Sequence, residues 1–445
     1  MKHTVEEVKL KCGAKGLLID VPDAPVFCME IWFRAGDAYT EGGKKIETAH
    51  AMEHLGYGAN AEHGSMSEVS RFVSKNGAYK NAHTNRRHLW YTIQCPDFDF
   101  ERLLRYLVMQ ISTPKFLQKE FDSELNTIEE EFRSRSNNRW AELECMMSQR
   151  FGWDFNETDR ERLELMYNVE LSDVIRHYKK THSAKNATFF IAGNLSQKRA
   201  QIEAELENLE KLNEGEKLLL PAQPKISGFP SNPVVIKKKE VENVSFSLDC
   251  YADFKLSDNE TINDISARLN TLNVILTHSF HSRIFGKARA MGLVYHVDSD
   301  REIYNDDSCL WSVYAEIGQK KVSDFIDLLV DELREVIKNG VTKQEVKEAT
   351  NEIRGSLRMA NQTTKSILAY YRVRYNFTEN GTVRGDMSDL EAEYSRVNKD
   401  NIQNAFLNLI KSKKWGAGFL GNVTEEDAKK WNAKLAEIFE DDTKN

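Results

Sequence analysis

Apolar and polar residues follow the same order in two successive parts of the chain. Each part opens with short apolar runs rich in β-branched and aromatic residues, which predict strands. Helical spacing of apolar residues, two more strand-like runs, an amphipathic helix and a long charged helix follow. One further apolar run and a helix close each part. The pattern therefore predicts a mixture of strands and helices in both.

The expected elements can be placed from this pattern. In the first part, strands are predicted at 16–21, 26–33, 79–84, 88–95 and 187–194, and helices at 46–58, 65–76, 100–111 and about 117–150. In the second part, strands are predicted at 234–239, 244–254, 293–299, 310–317 and 415–423, and helices at 258–280, 281–290, 322–339 and from 342 onward. Gly340 stands where a helix C-cap is expected.

A proline-rich stretch at 221–233 separates the two parts and predicts a linker, because four prolines and a glycine interrupt it. The segments 191–195 (IAGNL) and 419–423 (FLGNV) resemble one another and lie 228 residues apart, which supports a duplication. We therefore expect an α+β fold of two homologous domains, 1–220 and 234–445. Each would be an antiparallel sheet packed with a helical layer.

Composition narrows the class of protein. The 445 residues are 40% hydrophobic and 29% charged, which is ordinary for a globular chain. The apolar stretches are shorter than a membrane helix needs, and the first residues have no signal-peptide pattern. The formal charge of −8 argues against a nucleic-acid partner. Six scattered cysteines without a CxxC pair favour free thiols. We expect a cytoplasmic protein with no membrane partner.

One motif carries recognisable chemistry: His50, Glu53 and His54 form the pattern HxxEH. On a helix, residues four apart share one face, so the two imidazoles could bind one metal ion. Glu53 would lie close enough to take a proton from a water bound to that metal. The order is the reverse of the HExxH motif of zinc proteases. The alternative is an amphipathic helix whose histidines are ordinary surface or core groups.

The helix predicted at about 117–150 offers a third ligand. One of its faces is apolar and consists of Phe121, Leu125, Ile128 and Phe132. Glu124 and Glu131 flank that face on one side and Glu129 flanks it on the other, while Glu130 points to solvent. A carboxylate at the edge of a buried face can reach an interior metal. Periodicity alone therefore leaves Glu124, Glu131 and Glu129 as candidates, with a solvated helix face as the alternative for each.

The segments ETAHAMEHLGYGAN and ELNTIEEE resemble the zinc site of the pitrilysin and insulin-degrading enzyme family of metallopeptidases, which includes the mitochondrial processing peptidases. Glu131 stands 77 residues after His54, at the family's spacing for its third ligand, and Glu124 precedes it by seven. The resemblance implies that His50, His54 and Glu131 bind one Zn²⁺ per chain and that Glu53 is the general base. It implies that Glu124 orients a ligand.

Two further segments resemble parts of the same family. NGAYKNAHTNRRHLWY resembles its substrate-binding edge strand, which implies that Asn81 and Ala82 bind extended peptide. The alternative is an ordinary strand start. SFHSRIFGKARAMGLVYHV resembles the segment whose Arg and Tyr steady the scissile carbonyl, which implies Arg289 and Tyr295. The family's Arg is usually seven residues before the Tyr, where this chain has Ala288. A surface Arg289 and a buried structural Tyr295 are the alternatives.

The resemblance as a whole implies a zinc metalloendopeptidase that hydrolyses extended or unfolded polypeptide inside a chamber enclosed by its two domains. The second part has no HxxEH, so we expect no second metal site. By resemblance we also expect a homodimer, or a heterodimer with a related subunit. The competing interpretation is a catalytically silent structural subunit, or one that depends on a partner, in a complex like that of the processing peptidases.

Overall fold

The computed structural model describes residues 1–136, 138–151, 157–221, 232–257, 260–305, 307–376 and 387–440. Residues 222–231, most of the predicted proline-rich linker, lie outside the described residues. Among the helices that are described, none is long and apolar enough to cross a membrane.

The strands are β1 Thr4–Lys9, β2 Lys15–Asp20, β3 Val26–Phe33, β4 Tyr79–Thr84, β5 Leu89–Pro96, β6 Ala187–Gly193, β7 Val234–Lys237, β8 Asn243–Asp253, β9 Val294–Asn305, β10 Ser308–Gly318 and β11 Lys414–Gly421. The α-helices of the first part are α1 Thr48–Leu55, α2 Met66–Ser74, α3 Phe100–Ser112, α4 Gln118–Arg135, α5 Arg139–Phe151, α6 Asp159–Met166, α7 Leu171–Thr181 and α8 Arg199–Glu207. Those of the second part are α9 Ile262–Leu276, α10 Arg283–Ala290, α11 Val322–Asn339, α12 Lys343–Ala360, α13 Thr364–Asn376, α14 Met387–Ser395, α15 Lys399–Ser412 and α16 Glu425–Ala436.

The strands form two sheets, and the expected α+β class is confirmed. One sheet has the order β1-β2-β6-β3-β5-β4 and the other has the order β7-β11-β8-β10-β9. Most neighbouring strands are antiparallel, as predicted, but β2 pairs with β6 and β7 pairs with β11 in parallel. Each sheet is therefore mixed, because a strand from the end of each part returns beside one from its beginning.

The described chain divides into two compact units. Unit 1 comprises Met1–Arg135, Asp159–Ala222 and Arg358–Asp386, and unit 2 comprises Ser136–Thr158, Gln223–Leu357 and Met387–Asn445. These units differ from two contiguous halves in two places. The segment with α5 belongs to unit 2, and the segment with α13 belongs to unit 1. Each part of the chain thus contributes one helical segment to the other unit.

The burial of alternate residues on β3 shows how α13 packs against the sheet of unit 1. Met29, Ile31 and Phe33 point into the main apolar core, so the alternate residues point to the opposite face of the sheet. There Glu30, only 6% exposed, pairs with Arg372 of α13 at 2.9 Å. A carboxylate at such a buried position needs this partner, since an unpaired buried charge is costly. The sheet of unit 1 is therefore covered on both faces.

Unit 2 receives α5 in a comparable way. Leu143 and Met147 of α5 form a small apolar cluster with residues of β7 and β11. Gly418 of β11 lies directly beneath them, since a Cβ atom there would stand 2.6 Å from the sulfur of Met147. The close approach of helix and strand accounts for glycine at this position.

The prediction of one continuous helix at about 117–150 is wrong. The segment forms two helices, because α4 ends at Arg135 and α5 begins at Arg139. The side-chain oxygen of Asn138 accepts from the amide of Trp140 at 3.1 Å, as an N-terminal cap does. The long charged helix expected from 342 is α12, which begins at Lys343 and ends at Ala360. The helix ending before Gly340 is confirmed, and Gly340 has a φ of 70°.

Candidate metal centre

Helix α1 carries the HxxEH residues in unit 1. Ala51, Met52 and Leu55 face the apolar core and fix the orientation of the helix. His50 and His54 lie one turn apart on another side, with ring centroids 4.9 Å apart. His50 is buried and His54 is partly buried. The motif therefore presents two neighbouring imidazoles, as the spacing predicted.

Helix α4 brings a carboxylate to the same place. Its residues Phe121, Ile128 and Phe132 are buried, which sets the helix against the core. Glu131 then lies with its Oε2 atom 3.4 Å from Nε2 of His50 and 3.3 Å from Nε2 of His54. Glu131 is thus singled out from the three glutamates that periodicity left open.

The other two glutamates have different contacts. Glu124 accepts from Nδ1 of His54 at 2.9 Å, so it contacts the ring nitrogen that does not face Glu131. Glu129 instead pairs with Arg133, one turn along α4, with 3.0 Å between Nε of the arginine and Oε1. The structure therefore brings Glu124 and Glu131 to α1 and leaves Glu129 on the helix surface.

The donor atoms of His50, His54 and Glu131 fit a zinc ion. They all lie within 4.8 Å of one another. Zinc bonds of roughly 2.0–2.2 Å in a tetrahedron separate neighbouring ligand atoms by about 3.3–3.6 Å. The 3.4 Å and 3.3 Å separations to Glu131 match that spacing. Two imidazoles and one carboxylate are also a donor set of catalytic zinc sites, in which water takes the fourth position.

The electrostatics of the site favour positive charge. Burial disfavours protonated His54, but hydrogen bonds to Glu124 and Glu131 outweigh it and raise its pKa to about 9. For His50, burial is again outweighed by Glu131 and Glu47, and the pKa is raised. Hydrogen bonds from both histidines hold the pKa of Glu131 well below its usual range. A cluster that stabilises imidazolium so strongly also suits a divalent cation.

Glu53 lies beside the two imidazoles on α1 and contacts the edge strand of the sheet. The hydroxyl of Thr84, at the end of β4, donates to its Oε2 atom. Asn81 and Ala82 lie on the same strand, and β4 is the last strand in the sheet order among the described residues. Gly56, which ends α1, would place a Cβ atom 3.4 Å from that of Ala82. The expected peptide-binding strand is therefore adjacent to the HxxEH helix.

Arg289 and Tyr295 lie together in unit 2, at the end of α10 and the start of β9. The guanidinium of Arg289 stands 5.3 Å from the ring centroid of Tyr295. Tyr295 is 81% exposed, so a buried structural role does not explain it. Arg289 is exposed on α10, as the alternative of a surface arginine expects, so the roles of both residues at a substrate stay predictions.

Three contacts of the site were not anticipated from the sequence. The carboxylate of Glu47 accepts from Nδ1 of His50 at 3.2 Å, and Arg135 binds Oε1 of Glu131 at 2.6 Å. Thr84 bonds Glu53. Glu47 and Arg135 lie three and four residues from their partners, a helical spacing that could have suggested them. Thr84 is 31 residues from Glu53 and had no local signal.

Two sequence profiles match the chain. "Insulinase (Peptidase family M16)" matches residues 18–167, and "Peptidase M16 inactive domain" matches residues 168–353. The chain belongs to peptidase family M16. The resemblance to the pitrilysin and insulin-degrading enzyme family is thereby confirmed.

Similar proteins agree with M16 membership. The uncharacterized zinc protease ML0855 of Mycobacterium leprae is 21% identical over 397 residues, which cover 88% of this chain and 86% of that protein. Among solved structures, a protease from Helicobacter pylori has a TM-score of 0.78 at 16% identity, covering 94% of this chain and all of that one. A chain of Complex III2 from Candida albicans has a TM-score of 0.73 at 13% identity, covering 96% and 100%. The same fold thus occurs in a structure described as a protease and in a chain of Complex III2.

Proposed function

We propose that the protein is a zinc-dependent metalloendopeptidase that hydrolyses peptide bonds of extended or unfolded polypeptides. One observation carries the proposal: Nε2 of His50, Nε2 of His54 and a carboxylate oxygen of Glu131 lie at the spacing of zinc ligands. Glu53 lies on the helix that carries the two histidines. A scaffold protein has no need of that combination. Membership of a peptidase family and the relative named a zinc protease support the proposal.

His50, His54 and Glu131 would hold the zinc. When bound, zinc polarises the scissile carbonyl and lowers the pKa of a coordinated water toward about 7. Glu53 takes the proton from the attacking water at its carboxylate and delivers it to the amide nitrogen as the C–N bond breaks. The hydroxyl of the water then forms part of the new carboxyl group, and the amine leaves neutral. The hydroxyl of Thr84 holds the Glu53 carboxylate in place during both transfers.

The substrate would add to the sheet as a further strand beside β4. Main-chain hydrogen bonds to an edge strand hold an extended peptide with little demand on its sequence. We propose that Asn81 and Ala82 make these contacts, because β4 is an edge strand and is tied to Glu53 through Thr84. We propose further that Arg289 and Tyr295 donate to the carbonyl oxygen of the same substrate. An arginine and a phenol suit an oxygen that gains negative charge.

The physiological setting is also a proposal. Buried thiols at Cys28, Cys95, Cys250 and Cys309 suit a reducing compartment such as the cytoplasm. We propose a homodimer, or a heterodimer with a related subunit, and no membrane or nucleic-acid partner. A catalytically silent or partner-dependent subunit is the second candidate, because a chain of Complex III2 has the same fold.

Metal quantification of the purified full chain, combined with cleavage of quenched peptides of graded length, separates these possibilities. The proposal predicts about one zinc per chain and cleavage that a chelator abolishes and zinc restores. A structural subunit would hold no stoichiometric zinc. A partner-dependent subunit would hold zinc but cleave only after its related subunit is added.

A further inference from the structure

In both histidines of the HxxEH motif, Nδ1 is hydrogen-bonded to a carboxylate. His54 is bonded to Glu124 at 2.9 Å and His50 to Glu47 at 3.2 Å. The Nε2 atoms of both rings are thereby left to face Glu131. The resemblance assigns an orienting role to Glu124, but nothing in the motif assigns one to Glu47. The two histidines are nevertheless supported in the same manner.

Glu47 is held more firmly than a surface glutamate could be. It is only 1% exposed, and both of its oxygens have partners. Oε2 accepts from His50, while Oε1 accepts from Nε of Arg162 at 2.6 Å. Arg162 lies on α6, and its guanidinium stands 5.6 Å from the ring centroid of Phe132, which is buried on α4. Glu47 is therefore held by His50 of α1 and by Arg162 of α6.

We propose that Glu47 is a positioning residue for His50 as a zinc ligand and that Arg162 holds Glu47 in the required orientation. The inference rests on the zinc site proposed above. A carboxylate at Nδ1 selects the tautomer with hydrogen on that nitrogen, which leaves the lone pair of Nε2 available to a metal. It also restricts rotation of the imidazole. Arg162 restricts rotation of the Glu47 carboxylate and compensates the cost of burying its negative charge.

A purely structural role is the competing explanation, since Arg162 and Glu47 also connect α6 with the start of α1. The two roles differ in what a substitution changes. Loss of a structural tie lowers the stability of the zinc-free chain without a specific effect on zinc affinity. Loss of a positioning residue lowers zinc affinity beyond any effect on stability.

The test uses the full chain in three variants and one control. Glu47→Gln keeps the shape of the side chain but leaves one amide oxygen for two donors. Arg162→Met removes the arginine that fixes Glu47. The double variant removes the second donor, so the amide oxygen is free for His50, and no buried charge lacks its partner. Asp173→Asn is the matched control, because Asp173 is a buried carboxylate that pairs with Lys45, just before α1, at 2.5 Å.

Zinc dissociation constants are measured by competition with a chelator, and the stability of each zinc-free variant by urea unfolding. We expect Glu47→Gln to weaken zinc binding about 10- to 100-fold. Arg162→Met should weaken it less, and the double variant should recover part of the loss. Asp173→Asn should lower stability with zinc affinity within about twofold of wild type.

A Glu47→Gln protein that binds zinc as tightly as wild type would overturn the inference. Equal weakening in Glu47→Gln and Asp173→Asn would also overturn it, because it would mark a general effect of lost stability. If Glu47→Gln alone does not fold, Arg162→Met decides, because zinc affinity equal to that of wild type in this variant would overturn the inference as well. A wild-type chain without stoichiometric zinc would instead contradict the proposed function, and the inference with it.

Discussion

Nε2 of His54 lies 3.3 Å from Oε2 of Glu131, although 77 residues separate the two along the chain. Helix α1 supplies one atom and helix α4 the other, and each helix is oriented by its own apolar face. Long-range convergence of this kind does not follow from local sequence constraints. It needs the packed core of unit 1.

The first prediction concerns this contact. Glu131→Gln should weaken zinc binding by at least tenfold, because an amide is a poorer zinc ligand than a carboxylate. Glu129→Gln is the matched control, since Glu129 lies two residues away on α4 and pairs with Arg133 instead of a histidine. Zinc affinity measured by chelator competition should separate the variants. Equal affinities would assign the third ligand to another residue.

The second prediction concerns the proton carrier. Glu53→Gln should retain the fold and zinc content but lower kcat by about 10²–10⁴-fold, because the amide cannot accept the proton. The measurements are zinc quantification and cleavage of a quenched peptide. Turnover close to that of wild type would refute the role of Glu53.

The third prediction concerns the link between α1 and the edge strand. Thr84→Val preserves the shape of the side chain and removes the hydroxyl that donates to Glu53. We expect kcat to fall by about 10- to 100-fold, since a hydrogen bond to a charged group contributes roughly 1.5–3 kcal/mol. Zinc affinity should stay unchanged, because Thr84 supplies no ligand atom. A variant that loses zinc but keeps its turnover per bound zinc would contradict this assignment.

The fourth prediction concerns the docking of α5 in unit 2. Gly418→Val should lower the free energy of unfolding by about 1–3 kcal/mol, because its side chain would overlap Leu143 and Met147. The control is Gly355→Ala on α12, where no atom lies within 4 Å of the added methyl group. That change should stabilise the chain by about 0.5–1 kcal/mol. Thermal unfolding measures both, and a neutral Gly418→Val would contradict the close helix–strand contact.

The fifth prediction concerns acid stability. Burial lowers the pKa of His177 to about 4, while its ring still bonds the carbonyl of Ala35 at 2.8 Å. The unfolded chain binds a proton at this residue near pH 6.5 and the folded chain does not, so stability falls as the pH drops from about 6.5 to 4. Between pH 7 and pH 5 the loss due to His177 should be about 2 kcal/mol.

His177→Gln tests this account, because glutamine has no proton to gain and can still donate to Ala35. Urea unfolding of the zinc-free protein at pH 7 and pH 5 gives the two free energies. The variant should lose less stability than wild type between these values. An equal loss in both proteins would show that His177 is protonated in the folded state as readily as in the unfolded chain.

Much of the local structure could be predicted from the sequence. The bounds of β3 and β4 agree with the strands predicted at 26–33 and 79–84, and the helix before Gly340 ends as its C-cap signal indicates. The helical faces also predicted that Glu131 or one of two neighbouring glutamates could reach the histidines. These features depend on spacing within one element, which the sequence displays directly.

Other features depend on contacts between distant segments and had no such signal. The division between α4 and α5 follows from α5 packing in unit 2, where Leu143 and Met147 meet β11. A periodic pattern that runs across both helices does not show that their partners differ. The bond from Thr84 to Glu53 likewise exists only because β4 folds beside α1.

Anomalous diffraction at the zinc absorption edge, from crystals of the full chain purified without chelator, tests the central claim most directly. The account predicts one strong peak bonded to Nε2 of His50, Nε2 of His54 and a carboxylate oxygen of Glu131, at roughly 2.0–2.2 Å from each. No peak between these three residues, or a zinc ion held by other side chains, would contradict it.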